Sequence, residues 1–401
     1  MTPTGRPLSQ PIYLDYNATT PVLPEVVDAM LPYLREHFGN PSSAHAFGRR
    51  AKEAVESARA DVAALLECDA QEVFFTSGGT EANNLAIRGV AEARGDRRQI
   101  VTSTIEHPAV EKACAWLEEH GWRITRVGVD AAGRVSMADV QAAVGGEAAL
   151  VTIMHANNET GVVQPIAEFA KIAHAAGALV HCDAAQSVGK IAVRVNELGV
   201  DLLSLVGHKV YAPKGVGALF VRQGTALLPF TRGAGHERGL RPGTENVAAI
   251  VGLGVACRRA MRDLDTEAAR VRELRDRLWE QLAASVPGLQ LNGHAAARLP
   301  NTLNVRFPGA SGSELLAAAP EVAASTSSAC HDGQDQASAV ILAMGVSPSE
   351  ALGSVRLTLG RDTTRDEVDR ATDSLARAWR ATKRGDPLQP SIPTASTSRR
   401  S

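Results

Sequence analysis

One lysine, Lys209, lies between two short apolar runs, residues 202–206 and 216–221. The first run ends in Gly207 and His208, and a Pro/Gly turn precedes the second run. A lysine held among apolar neighbours loses proton affinity because its charged form is desolvated. The neutral amine can attack a carbonyl and form a Schiff base, the bond that pyridoxal 5'-phosphate (PLP) enzymes require. A lysine at a strand end with its amine in water is the commoner case, so this stretch alone leaves both interpretations open.

A glycine-rich turn at residues 77–84 offers a second kind of chemistry. It follows a strand-like stretch at residues 72–76 and opens a helical one. Glycines let the backbone bend closely, and amides at a helix N-terminus point outward at the positive end of the helix dipole, which suits a phosphate dianion. An ordinary strand-to-helix turn capped by Thr80 is the simpler alternative. The turn alone favours that alternative.

Several other polar residues directly follow predicted strands. Glu106 and His107 follow one strand, residues 155–159 a second and residues 183–186 a third, while Lys209 follows a fourth. Ligands of open α/β sheets bind at the carboxyl ends of the parallel strands. These residues are therefore predicted to share one site.

The elements that must position these residues alternate between strands and helices. The predicted strands are residues 72–76, 100–102, 124–129, 149–154, 178–182, 202–206 and 216–221. Helical stretches separate most of them, which predicts an α/β fold with a mainly parallel sheet flanked by helices. A long helix is predicted from about Asn246 to about Ser285, and the mixed rhythm beyond it predicts a smaller α+β domain.

A chain of 401 residues exceeds what one compact core usually holds, so two domains are expected. We predict a large domain at residues 21–260 and a small domain at residues 261–382 that carries the Cys330 loop. The N-terminal segment, residues 1–20, is expected to join the small domain. The polar, Pro/Ser/Thr-rich residues 383–401 are predicted to be disordered.

Composition argues against several classes of protein. The chain is 44% hydrophobic with a formal net charge of −2, which gives no electrostatic case for binding nucleic acid or an anionic membrane surface. No apolar run approaches a bilayer span and the N-terminus lacks a signal-peptide core, so we expect a cytoplasmic protein. Five cysteines without paired or metal-like spacing predict neither a disulfide framework nor a bound metal.

Taken together, the polar residues meet the needs of one cofactor. PLP requires amides and hydroxyls for its phosphate, a stacking face for its ring, an anion for its ring nitrogen and an amine for its aldehyde. Gly79 with Thr80, then His107, Asp183 and Lys209, can meet these four needs in turn. The sequence therefore predicts a PLP site.

The sequence resembles the cysteine desulfurase family, within the class V aminotransferase group of fold-type-I PLP enzymes. The resemblance covers residues 11–382 in the right order. It is carried by the stretches YLDYNATTP, GNPSSAH, FTSGGTEANN, TIEHPAV, MHANNETGVVQPI, HCDAAQSVGK, VGHKVYAPKG, ERGLRPGTEN, SSACHDG and VRLTLGR. The resemblance implies a homodimer that binds PLP and converts L-cysteine to L-alanine.

It also implies roles for the residues that do chemistry. Lys209 would form the Schiff base with PLP and later move the substrate's Cα proton. His107 would stack on the ring and act as an acid–base group near the substrate thiol, while Asp183 would pair with the ring nitrogen. Arg356 would grip the substrate carboxylate through two hydrogen bonds, with Asn158 beside it.

The remaining cofactor contacts are implied by the same resemblance. Asn158 and Gln186 would lie near the phenolic oxygen of PLP. Gly79, Thr80 and His208 would hold its phosphate. Thr244 would reach the phosphate from the partner subunit.

Cys330 is implied to be the sulfur acceptor, which would carry the sulfur as a persulfide to a scaffold or carrier protein for uses such as iron–sulfur cluster assembly. Residues 323–333 are small, polar and poor in apolar anchors, so we expect a mobile loop. An exposed loop also lets the thiol reach the thiolate form that attacks sulfur.

Some features depart from the commonest family pattern. Val206 replaces a serine found in many desulfurases, which removes one hydroxyl from the phosphate site, and Gln336 and Ala337 precede Ser338 where relatives usually have a proline. The spacing from Cys330 to Arg356 resembles the branch with longer loops, which deliver sulfur directly to a recipient protein.

Three alternatives stay open. The motifs also resemble selenocysteine lyases, so the substrate could be L-selenocysteine. A class V transaminase would have no use for Cys330. A non-enzymatic binding protein would have no need of Lys209, Asp183, His107 and Arg356 together.

Overall fold

The structure is a computed structural model that describes residues 11–326, 329–331 and 334–384, without the side chains of 329–331, 334, 335 and 384. The strands, in chain order, are β1 Ile12–Tyr13, β2 Val73–Thr76, β3 Gln99–Ser103, β4 Arg123–Val127, β5 Ala148–Thr152, β6 Leu179–Asp183, β7 Leu202–Val206, β8 Gly217–Val221, β9 Gln290–Leu291, β10 Thr302–Arg306, β11 Val322–Ala323, β12 Ser325–Thr326, β13 Ala329–His331, β14 Gln334–Gln336 and β15 Ser354–Thr358. The helices are α1 Pro24–Arg35, α2 Ala46–Leu66, α3 Gly79–Ala93, α4 Pro108–Glu119, α5 Met137–Ala143, α6 Ile166–Ala175, α7 Val195–Leu198, α8 Val247–Ser285, α9 Gly312–Ala317, α10 Ala339–Ala343, α11 Pro348–Ala351 and α12 Arg365–Arg384.

A seven-stranded sheet forms the centre of the larger part of the molecule, in the order β2-β8-β7-β6-β5-β3-β4. The strands from β7 through β4 run parallel, whereas β8 is antiparallel to both β7 and β2. Residues 207–216, which connect β7 to β8, are too few for the helical crossover that a parallel pair needs, so the chain turns back. The predicted α/β fold with a mainly parallel sheet is confirmed.

Helices cover both faces of this sheet. Along β3, Ile100 packs with α3 and α4, while the next residue, Val101, packs with α2, α6 and the first half of α8. Leu150 and Val151 of β5 divide in the same way. Successive side chains of a strand point to opposite faces, so a continuous apolar run is what a sheet buried on both faces requires.

A second core surrounds a smaller sheet in the order β12-β15-β10-β9, all antiparallel. Leu278 and Leu282, in the second half of α8, pack here with α12, whereas Leu253 and Cys257, in its first half, belong to the core of the large sheet. The domain boundary predicted at residue 260 thus lies inside one helix. The division into two domains stays a prediction.

The N-terminal segment contacts the smaller sheet. Strand β1 pairs in parallel with β11, and Asp15 bridges to Thr358 at the end of β15. The side chains of Ile12 and Leu14 are buried in the second core. This segment therefore brings the polar residues that follow it to the junction of the two cores.

Two stretches differ from what the sequence pattern predicts. The predicted loop at residues 323–333 contains all or part of three short strands, β11, β12 and β13. Strand β13 forms a hairpin with β14, in which Cys330 pairs with Asp335. Short polar strands of this kind lack the apolar alternation that marks a strand in sequence. Helix α12 extends through Lys383 and Arg384, the start of the predicted disordered tail, and the rest of that tail lies outside the described residues.

None of the helices within the described ranges is long and apolar enough to cross a membrane.

Candidate active site

A cavity of about 270 Å³ opens where the parallel strands of the large sheet end. Most of the predicted site residues line it: Gly79, Thr80, His107, Asn158, Asp183, Gln186, His208, Lys209 and Arg356. Thr244 does not line it, because it lies in an exposed loop before α8. The side chain of Cys330 lies outside the described residues.

Lys209 ends a single helical turn, Gly207–Lys209, that follows β7 directly. Burial lowers the pKa of its amine, with Arg356 lowering it further and Asp183 opposing the change. Its Nζ atom has no hydrogen-bond partner within the described part of the chain. The amine is therefore uncommitted and shifted toward its nucleophilic, neutral form.

Asp183, at the end of β6, is 5% exposed. Its Oδ2 accepts a hydrogen bond of 2.7 Å from Asn83 Nδ2, and its Oδ1 accepts one of 2.9 Å from the Ala185 amide. A carboxylate can accept about four hydrogen bonds, so further acceptor capacity is left for a ligand. Asn83, one turn into α3, orients this carboxylate.

The first turn of α3 has backbone amides that would suit an anion. The amides of Gly79, Thr80 and Glu81 have no hydrogen-bond partner among the residues that the structure describes. The capping residue is Gly78, at φ +146°, and no side chain caps the helix. The simpler alternative of a turn capped by Thr80 is therefore wrong.

Position 79 has no room for a side chain, because Val206 lies close to it. A Cβ atom at this position would lie 2.6 Å from Val206 Cγ2. Val206, which replaces the family's commoner serine, thus packs where a side chain at residue 79 would be. The close approach keeps the free amides facing the cavity.

His107 is the N-cap residue of α4 and accepts a hydrogen bond of 3.1 Å at Nδ1 from the Ala109 amide. This bond requires Nδ1 to be unprotonated, so the ring proton of the neutral form is on Nε2. Burial lowers the pKa of His107, and Lys209 lowers it further against the opposing effect of Asp183. The ring is therefore neutral at neutral pH, which suits stacking on another ring.

Glu106, the residue before His107, ties two strand ends together. Its carboxyl accepts from Ser103 Oγ at 2.5 Å and from the Met154 amide at 3.1 Å. Burial raises its pKa to about 8. Because Met154 also lines the cavity, this bond sets the shape of one wall.

Arg356 projects from β15 on the opposite side of the cavity. Its Nη2 donates to Asp15 Oδ1 at 2.7 Å, and its Nη1 donates to the Asn158 carbonyl at 3.1 Å. Its Nε is buried and has no partner among the described residues. Three of its five N–H groups, the Nε group among them, are thus left for a carboxylate ligand.

Asn17 joins the N-terminal segment to both sheets. Its Nδ2 donates to the Asn158 carbonyl at 3.2 Å and to Thr302 Oγ1 at 3.0 Å. Its own carbonyl accepts from Gln186 Nε2 at 3.0 Å. Asn17 therefore positions two of the predicted ligand-binding residues.

His208, the residue before Lys209, also contacts the N-terminal segment. Its Nδ1 lies 3.1 Å from Thr19 Oγ1, and its carbonyl accepts from the Thr20 amide at 2.9 Å. Burial and three nearby lysines lower the pKa of His208 to about 4. The ring is neutral and can act only as a hydrogen-bonding group at neutral pH.

The four cysteines with described side chains do not readily form thiolates. Burial raises the pKa of Cys68 and of Cys114 to about 12, and it also raises the pKa of Cys182 and of Cys257. All four are free thiols. None of them lines the cavity.

The residues present fit PLP on four observations. The free amides of Gly79 and Thr80 suit a phosphate, the Asp183 carboxylate suits a ring nitrogen, and the Lys209 amine is uncommitted. The unpartnered Nε of Arg356 suits the carboxylate of an amino acid bound beside the cofactor. All four groups line one cavity.

Four polar residues of the site were not identified from the sequence: Asp15, Asn17, Asn83 and Lys190. Each of them makes a hydrogen bond to another residue of the site. All lie inside the sequence stretches that carry the family resemblance. That position, beside predicted site residues in the same stretch, is the signal that could have found them.

The fold and the site together define a class, an α/β protein with a buried lysine and unpartnered helix N-terminal amides at the carboxyl ends of parallel strands. The family model "Aminotransferase class-V" matches residues 12–371. A cysteine desulfurase of Trichormus azollae is 45% identical over 366 residues, which cover 91% of this chain and 92% of the relative.

Two solved structures are similar in fold as well as in sequence. A NifS-like protein is 36% identical with a TM-score of 0.86, over 92% of this chain and 99% of that one. SspA, solved in complex with cysteine, is 36% identical with a TM-score of 0.76, over 86% of this chain and 98% of that one. The chain therefore belongs to the class V aminotransferase family and, within it, to the cysteine desulfurases. The predicted family and fold class are confirmed.

Proposed function

We propose that this protein is a PLP-dependent cysteine desulfurase, which converts L-cysteine to L-alanine and receives the sulfur on Cys330. The observation that carries the proposal is the Lys209 amine, which has no hydrogen-bond partner among the described residues and faces a cavity shared with Asp183 and Arg356. The similarity to proteins named cysteine desulfurase supports the same reaction.

In this proposal, different residues of the cavity bind different parts of PLP. Gly79, Thr80 and His208 would hold the phosphate of PLP, Asp183 its ring nitrogen, and Gln186 and Asn158 its phenolic oxygen. When bound, PLP withdraws electrons from the substrate and makes the Cα proton acidic. The neutral amine of Lys209 is the group that takes and returns this proton.

Arg356 and Asn158 would hold the substrate. The guanidinium is already oriented by Asp15 and by the Asn158 carbonyl, which leaves its Nε to donate to the substrate carboxylate. His107 carries its proton on Nε2 and can exchange a proton with the substrate thiol. These groups keep the substrate in one orientation while the proton moves.

Sulfur transfer needs a thiolate, and Cys330 is the cysteine we assign to it. The Cys330 thiolate would attack the substrate sulfur and form an S–S bond as the Cβ–S bond breaks. The electron pair of the broken bond stays on Cβ, which takes up a proton and becomes the methyl group of L-alanine, while Cys330 keeps the sulfur as a persulfide. The raised pKa values of Cys68, Cys114, Cys182 and Cys257 argue against those four thiols. The hairpin that carries Cys330 is followed by Ser338, which donates to Glu159 at 2.5 Å beside Asn158.

We also propose that the enzyme acts as a cytoplasmic homodimer that passes sulfur to a scaffold or carrier protein. Thr244 is exposed, and Arg241 of the same loop pairs with Glu81 at 2.8 Å in the first turn of α3. The loop is thus held near a phosphate site, where it could serve a second subunit. Phe38 and Phe47, 80% and 57% exposed and stacked on each other, offer apolar surface for subunit contact.

The test is alanine release from L-cysteine and from L-selenocysteine by the wild type, by Cys330→Ala and by Cys68→Ala as a matched control. We expect turnover of L-cysteine that is lost in Cys330→Ala and kept in Cys68→Ala. Unimpaired turnover in Cys330→Ala would show that another thiol carries the sulfur or that the reaction is a transamination. Strong preference for L-selenocysteine would replace the proposal with selenocysteine lyase activity.

A further inference from the structure

A second lysine, Lys190, lies behind the candidate site and has no role in the mechanism above. Its Nζ donates to Gln186 Oε1 at 2.8 Å and to Asn17 Oδ1 at 2.9 Å. Burial lowers its pKa well below the usual value, and the nearby Lys209 and Arg356 lower it further. A neutral amine has two N–H groups, and here each of them has one acceptor, Gln186 Oε1 or Asn17 Oδ1.

The two neighbours of Gln186 determine which way its side-chain amide faces. Gln186 is 3% exposed. Its Nε2 donates to the Asn17 carbonyl at 3.0 Å, and a carbonyl can only accept. The Oε1 atom must therefore face Lys190, which is its only side-chain donor among the described residues. In the reversed orientation, two oxygens would meet at Asn17 and the buried amide would lose its bond there.

This orientation matters for the cavity that Gln186 lines. The Nε2 group has two hydrogens, of which one is used by Asn17. The second hydrogen is left for a ligand. The cavity thus meets an N–H donor at Gln186 rather than a carbonyl oxygen.

We propose that Lys190 is a positioning residue, which holds the Gln186 amide so that it donates to the ligand. The identity of that ligand rests on the proposed function: it is PLP, whose phenolic oxygen accepts the hydrogen bond. A donor at this place favours the ionised form of the phenolic oxygen. Lys190 therefore acts on the cofactor without touching it.

A second branch of the same contacts reaches the substrate side. Asn17 Oδ1 accepts from both Lys190 and Asn301, at 2.9 and 3.1 Å. Asn17 in turn donates to the Asn158 carbonyl, which also accepts from Arg356. Loss of Lys190 should therefore disturb substrate binding more than loss of Gln186, because Lys190 bonds to the Asn17 side chain whereas Gln186 bonds to its backbone carbonyl.

The experiment is a PLP titration of the full-length apoprotein, followed by visible absorbance. The variants are Lys190→Met, Gln186→Met, the double variant, and Lys171→Met as a control at an exposed lysine. We expect Lys190→Met and Gln186→Met each to weaken PLP binding about tenfold, the size of one lost hydrogen bond. The double variant should bind within about twofold of Gln186→Met, because Lys190 acts through Gln186. Lys171→Met should match the wild type.

Two further readouts separate positioning from a merely structural role. Absorbance of bound PLP in Lys190→Met should move from the visible band toward the ultraviolet, since the phenolic oxygen loses its donor. The KM for L-cysteine should rise more in Lys190→Met than in Gln186→Met. Lys190→Gln, whose amide can still donate, should recover much of the lost PLP affinity.

The proposal is overturned if Lys190→Met binds PLP with unchanged affinity and absorbance, or if the two single effects add in the double variant. If Lys190→Met does not fold by circular dichroism, Gln186→Glu gives the decision, because a carboxylate offers only acceptors to the cavity. We then expect about tenfold weaker PLP binding, and unchanged binding would overturn the proposal. If the wild type itself binds no PLP, the proposed function is refuted as well. If the wild type binds PLP, a failed prediction concerns the role of Lys190 alone.

Discussion

The α3 side of the cavity and the Arg356 side differ in how much of their hydrogen-bonding capacity the protein itself uses. On the α3 side, the first three amides of the helix have no partner within the described residues. On the other side, Arg356 already donates to Asp15 and to the Asn158 carbonyl. The α3 side offers free hydrogen-bond donors to an anion, whereas on the other side Arg356 is already paired with Asp15.

The difference follows from the chemistry of the two donor groups. Helix N-terminal amides have no intrahelical acceptor, so they stay open without cost to the helix. A guanidinium that is 11% exposed cannot stay buried and unpaired, and Asp15 supplies the counter-charge. A permanently bound phosphate suits the first arrangement. A substrate that comes and goes suits the second, because Asp15 holds the arginine in place between turnovers.

Lys209→Ala should have the largest effect. We expect turnover to fall by roughly a thousandfold or more, because Lys209 supplies the only side-chain amine among the described residues that line the cavity. The visible absorbance of bound PLP should be lost as well. Steady-state alanine release and an absorbance spectrum check both, with Lys171→Ala at an exposed position as the control. Retained turnover would assign the amine's role to another residue.

Gly79→Ala tests the free amides of the α3 side. The added Cβ would lie 2.6 Å from Val206 Cγ2, so the turn must shift and its amides lose their aim. We expect PLP to bind about tenfold to a hundredfold more weakly in a titration of the apoprotein. The double variant Gly79→Ala with Val206→Ala removes the clash and should recover most of the affinity. Unchanged affinity in the single variant would mean that these amides do not hold the phosphate.

Asp15→Asn tests the paired side. Asparagine keeps an oxygen that can accept from Arg356 but removes the negative charge that repels the substrate carboxylate. We expect the KM for L-cysteine to fall about fivefold with little change in kcat. Asp15→Ala loses the acceptor too and should raise the KM. A raised KM in Asp15→Asn would show that the charge of Asp15 is what positions Arg356.

Glu106→Gln should have the smallest effect on turnover and a clear effect on the pH dependence of stability. The folded state raises the pKa of Glu106 from 4.5 to about 8, so folding favours its protonated form. The stabilisation by the bound proton is complete below the unfolded pKa and is lost as pH rises through the folded pKa. Relative to Glu106→Gln, the wild type should lose roughly 3 to 5 kcal/mol of unfolding free energy between pH 4.5 and pH 8.

Denaturant unfolding of the two proteins at several pH values measures that difference, because groups common to both cancel. Glutamine keeps an oxygen for Ser103 and for the Met154 amide, so the wall of the cavity should stay in place. Parallel pH curves for the two proteins would contradict the predicted titration.

Much of the fold and of the site could be predicted from the sequence. The continuous apolar runs of β5, β6 and β7 marked strands buried on both faces, and polar residues placed directly after them marked the site. Lys209, Asp183 and His107 were found in this way, and the structure places all three on one cavity. The assignments of Thr244 and of Cys330 stay predictions.

Other features could not be predicted because they depend on contacts between distant parts of the chain. The bond from Arg356 to Asp15 joins residues 341 positions apart, and the bond from Lys190 to Asn17 joins residues 173 apart. No local pattern marks either pair.

The amino-acid sequence by itself determined the order of strands and helices and the polar side chains that follow the strands, since both depend on periodicity and residue type. Only the tertiary structure decided how these side chains share their hydrogen bonds: Arg356 with Asp15, Gln186 with Lys190, and the α3 amides with none of the described residues. The physical reason is that a hydrogen bond needs a donor and an acceptor about 3 Å apart. That distance is set by the packing of the two sheets around the N-terminal segment.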